Sequence, residues 1–210
     1  LGRNRELVFI CSTMIKIKSK YLLFLAFFFF TSSALAKNPS DLIVGIVDEA
    51  SSILSSGISE TEKISKLNAI AEENVDIEGI GFYTLGKYRK SISEDEKNKY
   101  AKLFKSYFLK SFSSRLVTYT DPKINVISEK KINEKYTIVN SILVATEKRP
   151  EVKIDWRVYT KDPNKPLIRD LIVEGLSLAR TQKEEFNSVI QNNDNNIGAL
   201  FKTLEDFINK

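Results

Sequence analysis

Hydrophobic residues along the chain follow two periods. From Asn38 to about Thr118 they recur every three to four positions, from Asp121 to Glu174 every second position, and beyond Ser177 the longer period returns. The first period predicts helices. Asn38-Pro39-Ser40-Asp41 is a helix start, followed by Leu42, Ile43, Ile46, Val47, Ala50, Ile53 and Leu54 on one stripe, with Gly57 as the stop. A shorter helix is expected from about Ser59 to Asn74. The next stretch, VDIEGIGFYTLGKYRK, is dense in apolar residues and ends at Leu85-Gly86 as helices often do. The strongest signal begins at Ser93, where Ser93-Glu94-Asp95-Glu96 has the spacing of a capping box. Tyr100, Phe104, Tyr107, Phe108, Ser111 and Phe112 then form an aromatic stripe. Lys97, Lys99, Lys102, Lys105 and Lys110 occupy the opposite side, which reads as a solvated basic face.

The second period predicts strands. INVISE, YTIVNSILVATE, EVKIDWRVYT and PLIRDLIVEG are separated by short turn-like joints, which implies an antiparallel meander. In the third, Val152, Ile154, Trp156 and Val158 share one face. A helix with Phe186, Val189 and Ile190 follows, then the loop QNNDNN, then a last helix with Leu200, Phe201, Leu204, Phe207 and Ile208. Glu174-Gly175 falls where strand gives way to helix. Its glycine suits a bulge or tight bend, and either Ser177 or Thr181 is the expected cap, the latter through Thr181-Gln182-Lys183-Glu184. The fold class implied is α+β: helices packed on a strongly twisted antiparallel sheet of four strands or slightly more, enclosing an apolar cavity.

Residues 1–36 read differently. From Met14 the chain runs MIKIKSKYLLFLAFFFFTSSALA, with Lys16, Lys18 and Lys20 before an apolar run and Ala34-Leu35-Ala36 as an A-x-A site. These are the parts of a secretory signal peptide, expected to start at Met14 and to be cleaved after Ala36. The run is shorter than the about 20 residues a bilayer span requires. Residues 37–210 are then expected to form a single domain in the periplasm. Removing the first 36 residues takes away five of 32 basic groups and one of 27 acidic groups. The net charge falls from +5 to near +1, which speaks against a nucleic-acid partner.

The chemistry available to this chain is narrow. There is no histidine, and the single cysteine, Cys11, lies in the expected leader. Triads built on histidine, thiol nucleophiles and His- or Cys-ligated metal sites are therefore excluded from residues 37–210. Paired carboxylates remain, with Asp155, Asp170 and Glu174 as candidates for a carboxylate-dependent hydrolase. Gly79-Ile80-Gly81 lacks the third glycine and the preceding strand of a nucleotide-binding turn. No catalytic residue, metal or cofactor is expected. An apolar cavity would be lined by Phe82, Tyr83, Tyr107, Phe108, Phe112, Ile142, Val144, Trp156, Val158, Leu171 and Val173. If these residues simply fill a core, the alternative is a non-catalytic interaction module.

Two segments carry a family resemblance. DIEGIGFYTLGKYRKSISEDEKNKYAKLFKSYFLKSF and IRDLIVEGLSLARTQKEEFNSVI resemble the MlaC, or toluene-tolerance, family of periplasmic phospholipid-binding proteins. Its most specific part is D-x-x-x-E-G-x-S-L, here Asp170, Glu174, Gly175, Ser177 and Leu178. Pro166-Leu167 stands where relatives often carry Gly-Gly-Trp. The resemblance implies a monomeric carrier with phospholipid as cargo. It would shuttle that lipid between an outer-membrane lipoprotein complex and an inner-membrane ABC transporter, the traffic that maintains outer-membrane lipid asymmetry.

Overall fold

The computed structural model describes residues 37–119, 122–147 and 149–210. The signal peptide expected over residues 1–36 lies outside them. The first helix, α1 (Pro39–Ser55), starts where Asn38 accepts a hydrogen bond from the Ser40 N–H and Pro39 occupies the first turn. Ser59 caps α2 (Glu60–Asn74), and Asp76 caps α3 (Ile77–Thr84). A short 3₁₀ turn, Gly86–Lys90, leads to α4 (Glu94–Leu116). The capping box forms as the spacing implies: Ser93 accepts from the Glu96 N–H, and the Glu96 side chain accepts from the Ser93 N–H. Those hydrogen bonds hold the Glu96 carboxyl below its ordinary pKa.

The sheet comprises β1 (Ile124–Asn133), β2 (Tyr136–Leu143), β3 (Val152–Tyr159), β4 (Leu167–Val173) and the two-residue β5 (Leu176–Ser177). Its spatial order is β1-β2-β3-β4-β5, with every neighbour antiparallel, so it is a pure meander. β1 runs well past the INVISE segment, to Asn133. Only Ile124 and Val126 near its start reach the core cluster, while the part after them is exposed and carries no alternation to read.

Glu174 and Gly175 are the two central residues of the hairpin turn between β4 and β5, since Val173 pairs with Leu176. Both have positive φ, 48° and 81°, as a type I′ turn requires. Two residues later the chain enters α5 (Leu178–Gln191), and α6 (Ile197–Ile208) closes the fold. Ser177 is the cap of α5, in extended conformation and accepting from the Arg180 N–H. Thr181 lies inside the helix and donates its hydroxyl back to the Ser177 carbonyl, so the box read at Thr181-Gln182-Lys183-Glu184 does not form. The tight hairpin return delivers the chain to helical geometry one turn earlier than that box requires.

Two cores result. One joins α3, α4, α5 and α6 around Tyr100, Phe104, Phe186 and Phe201. Here a Cβ on Gly81 would come within 2.8 Å of the Phe104 ring, so this glycine permits the close passage of α3 over α4. Tyr100 is fully buried, and its hydroxyl shares a 2.7 Å hydrogen bond with Thr84 Oγ1. The other core lays Ile43 and Val47 of α1 on Val139, Trp156, Val158 and Ile168 of the sheet. Among the described residues no helix is long and apolar enough to cross a membrane.

Candidate functional site

The two cores touch at Val75, which packs against both. Beside it a cavity of about 490 Å³ is lined by members of both, inside the usual range for small-molecule sites. α4 contributes Phe104, Tyr107, Phe108 and Phe112, one stripe at helical spacing. The sheet contributes Leu143, Ile154, Trp156, Leu171 and Val173, and α1 and α2 contribute Ile46, Val47, Leu54, Leu67 and Ile70. Trp156, the only tryptophan, has its polar atom satisfied within the sheet: the indole N–H donates to Ser141 Oγ at 2.8 Å, and Ser141 Oγ donates to the Ile154 carbonyl. The ring can then serve as apolar wall at no hydrogen-bonding cost.

Of the residues expected to line a cavity, Tyr107, Phe108, Phe112, Trp156, Leu171 and Val173 are on its wall. Phe82, Tyr83, Ile142, Val144 and Val158 are not. Phe82 packs against the helical core. Tyr83 is largely exposed, with the Lys183 ammonium 5.2 Å from its ring centre. Val158 is completely buried in the filled core under α1. Ile142 is one position out of phase: on β2 the buried set is Thr137, Val139, Ser141 and Leu143. Val144 follows the end of β2, where its N–H donates to the Lys123 carbonyl. The α1 and α2 wall was missed because an amphipathic stripe shows which side of a helix is covered, but not whether solid core or empty space covers it.

Four exposed residues line the cavity, Arg115, Tyr119, Leu178 and Glu185, and they mark where it opens. They sit on and just beyond the last turn of α4 and on the first eight residues of α5. Polar groups gather at this mouth. Tyr107 OH donates to Gln182 Oε1 at 2.8 Å, and Gln182 Nε2 donates to Glu185 Oε2 at 2.9 Å. The Tyr107 hydroxyl is pushed above its ordinary pKa, chiefly by burial and then by the Glu185 charge, while Arg115 and the Gln182 bond pull the other way.

The three candidate carboxylates are engaged separately. Asp155 accepts from Asn140 Nδ2 at 2.8 Å across the sheet. The Glu174 side chain accepts from the Lys153 N–H. Asp170 touches the cavity wall but is only 4% exposed. It accepts from Ser177 Oγ at 2.6 Å and from the Ala179 N–H at 3.0 Å, with Arg157 at 3.6 Å. Each therefore holds strands or a helix end in place. Among the described residues no cluster of His, Cys, Asp and Glu is placed to hold a metal ion.

The architecture matches a phospholipid-binding protein from Ralstonia solanacearum, whose crystal structure is a complex with a phospholipid. The TM-score is 0.69 over 82% of this chain and 97% of that one, at 17% identity, a likeness of fold. The sequence pattern of the MlaC protein family matches residues 45–206, which include every residue that lines the cavity. The chain belongs to the MlaC family.

Proposed function

We propose that this protein is a phospholipid carrier of the periplasm. In this reading it is exported by the leader ending at Ala36 and shuttles lipid between an outer-membrane lipoprotein complex and an inner-membrane ABC transporter. The observation that carries the proposal is the cavity: predominantly apolar walls, with the exposed charged groups of its lining, Arg115 and Glu185, at one mouth. That distribution suits an amphiphile with its acyl chains inside and its headgroup at the opening. Burying ten methylenes of such a ligand gives about 8 kcal/mol, a driving force that needs no covalent chemistry. The carboxylates, the strongest candidates for catalysis in this chain, are tied to strands and helix ends, which favours carriage over hydrolysis. Membership of the MlaC family and the lipid held by the Ralstonia solanacearum protein of the same fold support this reading.

Native mass spectrometry of the protein isolated from a bacterial periplasm without detergent tests it. The expected spectrum shows an added mass that denaturing extraction releases as phospholipid. A protein that emerges empty, and stays empty after incubation with phospholipid vesicles, overturns the proposal and returns the apolar set to ordinary core.

A further inference from the structure

Among the described residues that line the cavity, the exposed charges at its mouth are Arg115 and Glu185, one of each sign. Tyr107, Ser111 and Arg115 follow one another at four-residue spacing on α4, so Arg115 ends the stripe that lines the cavity. Across the opening, Leu178, Gln182 and Glu185 form the matching stripe of α5. Arg115 and Glu185 join no ion pair among the described residues. Both line the cavity and both are exposed, so both belong to its rim. Gln182 holds Glu185 through Oε2, which leaves Oε1 available to a donor.

We propose that this rim reads the lipid headgroup, with Arg115 holding the phosphate and Glu185 facing a headgroup ammonium. The guanidinium is a planar fork of donors that suits two phosphate oxygens at once. A phosphoethanolamine headgroup supplies a partner to each charge. A phosphoglycerol headgroup satisfies Arg115 but brings no cation to Glu185. Diacylglycerol satisfies neither. The expected order of retention is therefore zwitterionic, then anionic, then uncharged. Because both side chains are exposed, each step is modest, up to about fivefold. This inference rests on the carrier reading and extends it to the class of cargo.

The test is a competition. The exported protein is incubated with vesicles of phosphatidylethanolamine, phosphatidylglycerol and diacylglycerol in equal parts with identical acyl chains. It is then re-isolated, and its bound lipid is quantified by mass spectrometry. Wild type is expected to enrich phosphatidylethanolamine over phosphatidylglycerol, and both over diacylglycerol. Glu185→Gln is expected to bring the first ratio to near one, and Arg115→Gln to remove the preference for phospholipid over diacylglycerol. Thermal melting of both variants should match wild type, since neither side chain is buried. Uptake of all three lipids in vesicle proportions, unchanged by either substitution, overturns the headgroup proposal and leaves the carrier standing. Uptake of none overturns the carrier reading itself.

Discussion

The carboxylate of Asp170 accepts a hydrogen bond from the backbone N–H of Ala179, nine residues along the chain, at 3.0 Å. Its other oxygen takes the Ser177 hydroxyl at 2.6 Å. One buried side chain thus joins β4 to the first turn of α5 across the Glu174-Gly175 hairpin. This explains why an acid sits in an otherwise apolar strand: it satisfies a helix-start donor that would face a dry interior. Asp170→Ala strips both partners and is expected to cost about 2–4 kcal/mol in urea unfolding. Asp170→Asn keeps an acceptor for Ala179 and a group able to donate to Ser177, and should cost about 1 kcal/mol. A loss below about 0.5 kcal/mol for the alanine variant would contradict this role.

Gly175→Ala isolates the backbone term of the hairpin. No atom lies within 4 Å of the added Cβ, so φ = 81° is the only obstacle. The expected loss is about 1 kcal/mol, with lipid uptake unchanged. Loss of uptake without loss of stability would give the turn a direct part in binding.

Alkaline pH should expose the burial of Tyr100. Its hydroxyl is pushed well above the ordinary value of 10.0, by burial first, with the Thr84 bond opposing. The folded protein therefore keeps a proton that the unfolded chain releases. Stability is complete below pH 10 and falls as pH rises beyond it, because ionisation then favours the unfolded state. Tyr107, shifted the same way, adds to this limb. Tyr100→Phe is expected to lose about 1 kcal/mol at neutral pH with the Thr84 bond, yet to show a flatter decline above pH 10 in chemical denaturation.

Trp156 is a built-in reporter, being the only tryptophan and lying on the cavity wall. Phospholipids brominated in mid-chain are expected to quench its emission on loading, whereas the same bromine carried on a water-soluble molecule should not. Equal quenching by both would place the acyl chains elsewhere.

The sequence made the element boundaries readable wherever a local device sets them. Ser93 and Glu96 are an example, since both halves of the box lie within one turn of helix. It failed where a distant partner decides. On β2, Ile142 and the following Val144 are the residues expected to face inward. The structure turns Val139, Ser141 and Leu143 inward instead. Ser141 is polar and buried because the Trp156 indole on β3 needs an acceptor, and nothing within β2 signals that need. At α5 two hydroxyls, Ser177 and Thr181, compete as caps, and the β4–β5 hairpin settles the choice for Ser177. The cavity itself was legible as an aromatic stripe on α4. Its far walls on α1 and α2 were not, because filled and empty neighbours leave the same stripe.

The meander also keeps the contacts of the sheet short-ranged. Every strand pairs with its neighbour in sequence, so local closures can build the sheet without a long crossover. The helical wall is held by partners far apart in the chain, such as Tyr107 with Gln182 and Lys110 with the Ile208 carbonyl. These closures span far more of the chain than any hairpin of the sheet. Closing the hollow therefore draws on long-range contacts that the pairing of the sheet does not need.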